Sequence, residues 1–268
     1  MRYIFDNDLH IHSTLSSCSS DPEENTGRIL SYGVGNKLKT ICLTDHFWDS
    51  SVPGASGWYA PQNYEHIRQA LPLPQAEGTK FLFGCETDLD MNCTLGVAPE
   101  HFDLFDFIII PTTHLHMNGF TCRGDEGSEE RAKLWVDRFD AVLDMDLPFY
   151  KVGIAHLTCE LMSPGKFEEV LSLIPDAEME RLFAKAAEKG VGIELNFYSK
   201  RLTEDSDIRY DPDTVLRPYR IAKKCGCKFY FGSDAHHPKE LDDEKENAER
   251  IIDMLSLEES DKFILKKN

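Results

Sequence analysis

Histidines and acids recur in this 268-residue sequence directly after short apolar runs. Most of the ten histidines fall in five segments: Asp8-Leu9-His10-Ile11-His12, Thr44-Asp45-His46, Thr113-His114-Leu115-His116, Ala155-His156 and Ser233-Asp234-Ala235-His236-His237. Imidazole nitrogens and carboxylate oxygens are the ligands that Zn, Mn and Fe accept in proteins. So many imidazoles brought together without a metal would repel one another when protonated. The pattern therefore predicts a multinuclear metal site.

The apolar runs themselves predict the scaffold. Runs rich in β-formers alternate with helix-like segments, which is typical of a parallel α/β fold. We predict seven strands: Ile4 to His12, Thr40 to Thr44, Lys80 to Cys85, Phe105 to Thr112, Val152 to Ala155, Val191 to Leu195, and Lys228 to Gly232. In a barrel, the carboxyl ends of such strands converge on one rim. Strand periodicity places His10 with His12 on one side, and Asp234 with His236.

The connections carry further signals. Asp21-Pro22 and Asp211-Pro212 each predict a helix start, with Asp as the cap and Pro in the first turn. A long helix is predicted from Gly127-Ser128 to about Asp146. The irregular stretches 48–60 and 88–102 both follow strands, and loops of this length are often functional. No linker interrupts the pattern, so we predict a single domain over residues 1–268.

Composition narrows the function. The chain has 29 Lys and Arg against 47 Asp and Glu, a net charge of −18. This excess argues against nucleic-acid and anionic-membrane partners, and bound metals would have to offset it for an anionic substrate. The N-terminus lacks the apolar stretch of a signal peptide, no run is long enough to span a membrane, and the eight cysteines form no CxxC pair. We therefore expect a cytoplasmic protein with reduced cysteines, whose oligomeric state the sequence leaves open.

The ordered motifs resemble a known family. DLHIH, TDH, GCE, TTH, AH and SDAHH follow one another between Asp8 and His237, and in this order they are similar to the PHP family, the polymerase and histidinol phosphatase domains. Each motif is short, but the ordered set is specific. The resemblance implies a distorted seven-stranded (β/α)7 TIM-like barrel. It also implies a centre of two or three divalent metal ions (Zn, Mn or Fe) that hydrolyses phosphoesters.

The resemblance also implies metal ligands. One ion would be bound by His10, His12, Glu86 and Asp234. Glu86 would bridge to a second ion held by His114 and His156, and a third ion would be bound by His46 and His236. Trinuclear members have a further histidine where this chain has Cys18, which is either a thiolate ligand or a small buried residue. Asp8 and Asp45 are candidates for fixing metal-bound imidazoles, or else strand-end caps.

A mechanism follows as a hypothesis. A metal-bridging hydroxide would attack the phosphorus of a small-molecule phosphoester. His116 or His237 is a candidate acid for the leaving group. Asn196, Lys200 and Arg201 follow strand six in a segment similar to the histidinol-phosphatase branch, and they are candidates for binding phosphate, as is Arg123. For each of these the alternative is an ordinary residue of the rim.

Several functions compete with a general phosphomonoesterase. A histidinol-phosphate phosphatase of histidine biosynthesis is the specific alternative, supported by the chain length and the ELN segment. A C–N hydrolase of the amidohydrolase type is disfavoured because no lysine lies at a strand end to bridge metals. A non-catalytic metal-binding domain is disfavoured because the implied ligand set is nearly complete.

Overall fold

The computed structural model describes residues 1–203 and 207–265, which form an α/β fold. Its strands are β1 (Asn7–Ile11), β2 (Thr40–Leu43), β3 (His46–Phe47), β4 (Lys80–Phe83), β5 (Cys85–Thr87), β6 (Ile108–Pro111), β7 (Val152–Ala155), β8 (Gly192–Leu195) and β9 (Lys228–Phe231). Its α-helices are α1 (Thr26–Gly35), α2 (Tyr64–Ile67), α3 (Ser128–Asp144), α4 (Phe167–Leu173), α5 (Asp176–Lys189), α6 (Pro212–Lys224) and α7 (Glu244–Leu255). Short 3-10 helices cover Arg68–Ala70, Pro99–Leu104, Phe149–Lys151, Glu160–Met162, Ser199–Leu202 and Glu259–Asp261.

Each of the seven predicted runs contains a strand, and two of the strand regions are interrupted. β2 and β3 are separated by Thr44 and Asp45, and β4 and β5 by Gly84. A Cβ at Gly84 would lie 2.5 Å from the carbonyl oxygen of Phe107, so only glycine lets the two chains approach this closely. The interruptions fall where the strands reach the rim, and β3 and β5 carry His46 and Glu86 there.

The pairing between these strands is parallel throughout. The ladders form two sheets, with orders β1-β2-β4 and β3-β5-β6-β7-β8-β9. The closed seven-stranded barrel is therefore not confirmed. β9 and β1 lie side by side, joined by an isolated bridge between Ile11 and Ala235 and by the Asp234 amide, which donates to the His10 carbonyl at 2.7 Å. Two local features separate the ladders: the strand regions are interrupted at Thr44-Asp45 and at Gly84, and β9 ends at Phe231.

The helices mostly begin where the sequence indicates. Asp211 caps α6, accepting from the Thr214 amide at 2.9 Å, and α3 begins at Ser128 as predicted. The prediction for Asp21 is wrong. Asp21 instead closes a turn by accepting from the Glu23 amide, and α1 begins five residues later with Asn25 as its cap. Both segments offer a capping side chain, and tertiary packing selects the second.

Apolar side chains from both sheets and the surrounding helices form a continuous core. Its largest fully buried members include Trp135 and Phe139 on α3 and Phe183 on α5. This core anchors the strands, so their carboxyl ends present the polar residues on one side of the molecule. No helix in the described ranges combines the length and apolar character needed to cross a membrane. All eight cysteines are unpaired.

Candidate metal centre

Four side chains from three strand regions converge at the rim. His10 and His12 lie on β1 or at its end, Glu86 on β5 and Asp234 after β9. The Nε2 atoms of His10 and His12 are 3.0 Å apart. Glu86 Oε2 is 3.4 and 3.3 Å from these two nitrogens, and Asp234 Oδ1 is 3.3 and 3.0 Å from them. Two nitrogens and two oxygens thus face a common point.

These separations fit a small divalent ion. A tetrahedral ion with bonds of about 2.0–2.1 Å has its ligand atoms about 3.3–3.4 Å apart. The five measured separations, between 3.0 and 3.4 Å, lie on or slightly below that range. Glu86 Oε2 is also fully buried and forms no well-aligned hydrogen bond with the described residues, although His46 Nδ1 lies 2.9 Å from it. A buried carboxylate oxygen in that condition is costly unless a cation compensates it, so the residues fit a metal.

Glu86 faces two clusters with its two oxygens. Oε2 points to His10 and His12, whereas Oε1 lies 3.1 Å from His156 Nε2 and 3.9 Å from His114 Nε2. The ligand atoms of Glu86, His114 and His156 lie within 4.8 Å of one another, as do those of the first cluster. A carboxylate divided in this way can bridge two ions, and the sequence resemblance implied the same arrangement.

The tautomers of three histidines favour ligation through Nε2. His12 Nδ1 donates to Ser16 Oγ at 2.8 Å, because the Ser16 hydroxyl proton is itself given to Asp45. His114 Nδ1 faces Asp88 Oδ2 at 2.8 Å, and His236 Nδ1 faces the Asp234 carbonyl at 2.7 Å. Each acceptor holds the proton on Nδ1, so the Nε2 lone pair of a neutral ring points into the centre.

Glu194 is a functional candidate that the sequence reasoning passed over. This fully buried carboxylate on β8 lies 2.6 Å from His10 Nδ1 and accepts from the His156 amide at 3.1 Å. It thus occupies the side of the His10 ring opposite to the metal-facing Nε2. Glu194 precedes Asn196 by two residues, so strand periodicity places the two side chains on the same face. The sequence therefore indicated Glu194 as well, although only Asn196 was predicted as a site residue.

Asp88 is a second candidate that was missed. Besides His114, it contacts Tyr59, whose hydroxyl donates to Oδ2 at 3.3 Å, and Arg138, whose Nη2 lies 3.3 Å from Oδ1. Arg138 is buried on α3 and also donates to four backbone carbonyls, of Thr112, Asp90, Thr121 and Leu89. Asp88 follows Glu86 by two residues, the spacing of His10 and His12, whereas nothing local in the sequence indicates Arg138.

Two candidate ligands have a left-handed backbone. His156 has φ 60° and Asp234 has φ 55°, each just beyond a strand. Residues other than glycine adopt this backbone conformation at a cost of roughly 1–2 kcal/mol, and such conformations cluster at functional sites. The His156 carbonyl accepts from Thr113 Oγ1 at 2.7 Å, which helps to hold this conformation.

The third implied site is less complete. The ligand atoms of His46 and His236 cluster with His12, whose Nε2 already faces the first cluster. One imidazole nitrogen binds one ion, so His46 and His236 remain as the dedicated pair. Cys18 is exposed beside them and hydrogen-bonds His46, but no metal-ligand cluster in residues 1–203 and 207–265 includes it.

The predicted supporting acids have different roles from those expected. Asp45 does not touch an imidazole. It accepts from the Ser13 amide and from Ser16 Oγ, both at 2.7 Å, and acts on His12 through Ser16. Asp8 takes the alternative role of a strand-end cap, because it accepts from the His10 and Ser233 amides and the Tyr32 hydroxyl, while Glu194 lies against the His10 ring. Burial raises the pKa of Asp8 to about 6.

Neighbouring charges at the centre shift the pKa values of its members. Burial alone would raise the pKa of Glu86, but His46 and His10 outweigh it and hold that pKa well below its ordinary range. Burial likewise lowers the pKa of His156, but Asp234 and Glu86 reverse the shift and raise it to about 9. Imidazoles and carboxylates therefore favour each other's charged forms at this centre, and a metal that binds such a site displaces protons from its ligands.

Two cavities meet at the centre, and both include His156 and Asp234. We call the larger one, about 550 Å³, the aromatic cavity, since its wall comprises Trp58, Tyr59, Met117, Phe120 and Leu161. We call the smaller one, about 210 Å³, the arginine cavity, since it contains Arg201.

The substrate-binding candidates divide between these cavities and the surface. Asn196 and Arg201 line the arginine cavity, and Asn196 Nδ2 is buried without a partner among the described residues. His116 lines the aromatic cavity and is exposed, and partial desolvation and the charge of His114 lower its pKa, which makes it less suited as an acid.

Three candidates are corrected by their contacts. Lys200 is paired with Asp243 at 3.1 Å, His237 with Asp21 at 2.9 Å, and Arg123 with Asp125 and Glu130 at 3.0 and 3.1 Å. Their side chains are 48%, 44% and 61% exposed, and none lines either cavity. The acid-rich surface supplies each of them with a partner of opposite charge away from the centre.

A buried acid just before α1 has a testable consequence. Glu24 is fully buried, and neither carboxylate oxygen has a hydrogen-bond partner in the ranges described. Burial raises its pKa from 4.5 to about 8. Between these values the unfolded chain ionises while the folded one stays protonated, so folding stability falls as the pH rises.

Replacing Glu24 by glutamine should therefore raise thermal stability at pH 8 and above. The gain should be on the order of a few kcal/mol there and should vanish near pH 4.5, because glutamine mimics the protonated acid. Thermal unfolding across this pH range is the measurement. Glu23→Gln, the same change at an exposed neighbour, is the control. Equal effects of the two substitutions at pH 8 would contradict a buried ionisation.

Comparison with known proteins defines the class of fold. No model of a known protein family matches the sequence, and no curated protein matches it either. Solved structures do match, and they show that the chain shares the fold of histidinol phosphatases, as the resemblance of the ordered motifs predicted.

Two of the matching structures are histidinol phosphatases. One is the histidinol phosphate phosphatase of Lactococcus lactis, solved with zinc, L-histidinol and phosphate; it has a TM-score of 0.58 and 18% identity, with 94% of each chain covered. The other is the putative histidinol phosphatase of Listeria monocytogenes, with a TM-score of 0.61 and 11% identity, covering 88% of this chain and 97% of that one. At these identities the likeness concerns the fold.

Proposed function

We propose that this protein is a metal-dependent phosphomonoesterase acting on a small phosphorylated metabolite. The observation that carries the proposal is the cluster of His10, His12, Glu86 and Asp234, whose ligand atoms are spaced as around one divalent ion. The Lactococcus structure with zinc and phosphate supports it, since a protein of the same fold binds both.

We further propose two metal positions that share Glu86, with His114 and His156 completing the second. Divalent ions bound there would lower the pKa of coordinated water and offset the negative charge of the phosphoryl group. Glu194, Ser16 and Asp88 keep the rings of His10, His12 and His114 in the orientation that presents Nε2. A third ion at His46 and His236, with Cys18 beside them, is proposed as a weaker position. We infer that the two sheets together form a distorted seven-stranded barrel.

We expect residues of the arginine cavity to bind the phosphoryl group of the substrate. Arg201 presents a cation to the arginine cavity, next to Asn196 with its unpartnered amide. We assign both to the phosphoryl oxygens, because a guanidinium and an amide donate to oxygen anions. Neither His116 nor His237 is retained as the leaving-group acid, for the reasons of pKa and position given above.

Phosphate release tests the proposal directly. The purified protein, stripped of metal and reloaded with Mn²⁺ or Zn²⁺, should release phosphate from a panel of phosphomonoesters that includes p-nitrophenyl phosphate and histidinol phosphate. Chelation should abolish turnover, and readdition should restore it. Turnover that is indifferent to chelation, or hydrolysis of amides in place of phosphoesters, would exclude the proposed function.

Replacing His114 by alanine should reduce turnover by at least about 100-fold while the fold stays intact. The ring is nearly buried and faces Glu86 Oε1, so its loss removes one side of the shared pair, and changes at metal sites typically cost this much or more. Turnover and circular dichroism are the measurements. His66→Ala, which removes a partly buried imidazole that contacts the Leu15 carbonyl outside the centre, is the matched control. Unchanged turnover in His114→Ala would contradict the two-metal arrangement.

A further inference from the structure

We propose that the alcohol portion of the substrate is uncharged and carries an aromatic or apolar ring, which occupies the aromatic cavity against Trp58. This inference rests on the proposed phosphomonoesterase function and narrows its substrate class. It is argued from the lining of the cavity, the support behind that lining and the distribution of charge.

The lining opposite the metal centre is apolar and accessible. Trp58 is 38% exposed and Leu161 is 37% exposed, and with Met117 and Phe120 they form one side of a cavity of about 550 Å³. Small-molecule sites commonly have volumes of about 300–1,000 Å³ with a few polar groups at one end. Here the polar end is the metal centre, so a phosphoryl group there would direct its ester substituent toward the apolar side.

Trp58 lies at the junction of the two regions. Its ring meets His46 edge-on, with centroids 4.9 Å apart, and Tyr59 edge-on at 4.8 Å. A flat ring entering the cavity from the centre would therefore meet aromatic surfaces. Such contacts contribute about 0.5–1.5 kcal/mol beyond the area they bury.

The aromatic side is also rigidly supported. Trp48, Tyr59 and Phe120 form a buried cluster of their own, with ring centroids between 5.3 and 5.8 Å apart. The Trp48 indole donates to the Val52 carbonyl at 3.0 Å, and the Tyr59 hydroxyl donates to Asp88. A preformed surface loses little entropy when a ligand binds. The cluster thus connects the substrate side of the cavity to the acid that orients His114.

The charged residues that line the aromatic cavity indicate which class of alcohol it can bind. Among the described residues that line the aromatic cavity, the only acids are Glu86 and Asp234, and both face the imidazoles of the metal cluster; no lysine or arginine lines it. An ammonium or carboxylate on the alcohol would lose its hydration without gaining an ionic partner, at a cost of several kcal/mol. His116, Asn118 and Ser56 are neutral and suit a hydroxyl or no polar group at all.

The arginine cavity does not compete for the same group. The charges in it are already joined, since Arg201 donates to the Tyr210 hydroxyl at 2.7 Å and Tyr210 donates to Glu160 at 2.5 Å. Arg201 also lies over the rings of Tyr198 and Tyr210, at 5.1 and 5.5 Å. At about 210 Å³ this cavity also has less than half the volume of the aromatic cavity, so it is the less suitable of the two for a ring.

Three alkyl phosphates of similar chemistry test the inference. The metal-loaded protein should be assayed with 3-phenylpropyl phosphate, with its 2-amino derivative, and with ethyl phosphate. We expect kcat/KM to be at least about tenfold higher for phenylpropyl phosphate than for either of the others, the range that one apolar contact or one unpaired polar group produces. A preference for the amino derivative, or for ethyl phosphate, would overturn the inference while leaving the phosphomonoesterase function intact.

The Trp58→Ala variant tests whether the preference for phenylpropyl phosphate arises in the aromatic cavity. It should lower kcat/KM for phenylpropyl phosphate by about tenfold and change that for ethyl phosphate by less than about twofold. Leu173→Ala, which removes an equally exposed apolar side chain at the end of α4, should change neither. Equal losses on both esters in Trp58→Ala would contradict a role in holding the ring. Hydrolysis of none of the three esters would overturn the inference and the proposed function together.

Discussion

Replacing Glu86 by glutamine is expected to remove metal from both proposed positions and to lower phosphate release by about 10³-fold or more. Glu86 is fully buried and its two oxygens face two different clusters, so a neutral amide loses the charge and one ligand oxygen at once. Metal-derived stabilisation of a phosphoryl transition state is worth several kcal/mol, and each 1.4 kcal/mol is about a factor of ten in rate. No other single side chain described here faces as many imidazoles.

The measurements are metal content after dialysis and turnover at saturating metal. Circular dichroism separates metal loss from unfolding. Glu244→Gln is the matched control, since Glu244 is also buried but outside the clusters, and burial raises its pKa, so that glutamine resembles its protonated form. Retention of both ions in Glu86→Gln, with turnover within about tenfold of the wild type, would contradict a shared carboxylate.

The ligand candidates could be predicted because their signal is local. A histidine or acid at the end of each parallel strand needs only the strand positions to be placed on the rim, and the period of two selects side chains that share a face. The same rule, applied consistently, indicates Asp88 from Glu86 and Glu194 from Asn196. Neither was predicted as a site residue, because histidines dominate the motifs that indicate the metal ligands.

Other features have no local signal. Arg138 supports Asp88 from a helix 50 residues away, and no pattern in the sequence of α3 separates it from an exposed arginine. Lys200 and Arg123 were expected to bind phosphate, but cations of an acid-rich chain find carboxylates nearby, and which pairs form depends on the packed structure. The barrel prediction was limited by the end of β9 at Phe231 and by the interruptions at Thr44-Asp45 and Gly84, because strand propensity does not reveal where hydrogen-bond ladders stop.

Replacing Gly232 by alanine is expected to disable the centre without replacing any proposed ligand. Gly232 directly follows β9, and a Cβ there would lie 2.2 Å from Glu194 Oε1 and 2.6 Å from His10 Cβ. Moving either neighbour would break hydrogen bonds, since Glu194 lies 2.6 Å from His10 Nδ1 and accepts from the His156 amide. One methyl group therefore forces apart the carboxylate and the ring that it orients.

The expected result of Gly232→Ala is a loss of about 1–3 kcal/mol in unfolding free energy and at least about 100-fold in kcat/KM, because a misplacement of about 1 Å at a catalytic centre costs that much. Metal titration should show weaker binding by the same variant. Gly35→Ala is the control, since its Cβ would meet no atom within 4 Å. Full activity and metal affinity in Gly232→Ala would mean that Glu194 does not position His10, whereas a loss restricted to stability would assign Gly232 to packing alone. The prediction thus separates the orientation of a ligand from its mere presence, which substitutions of the ligands themselves cannot do.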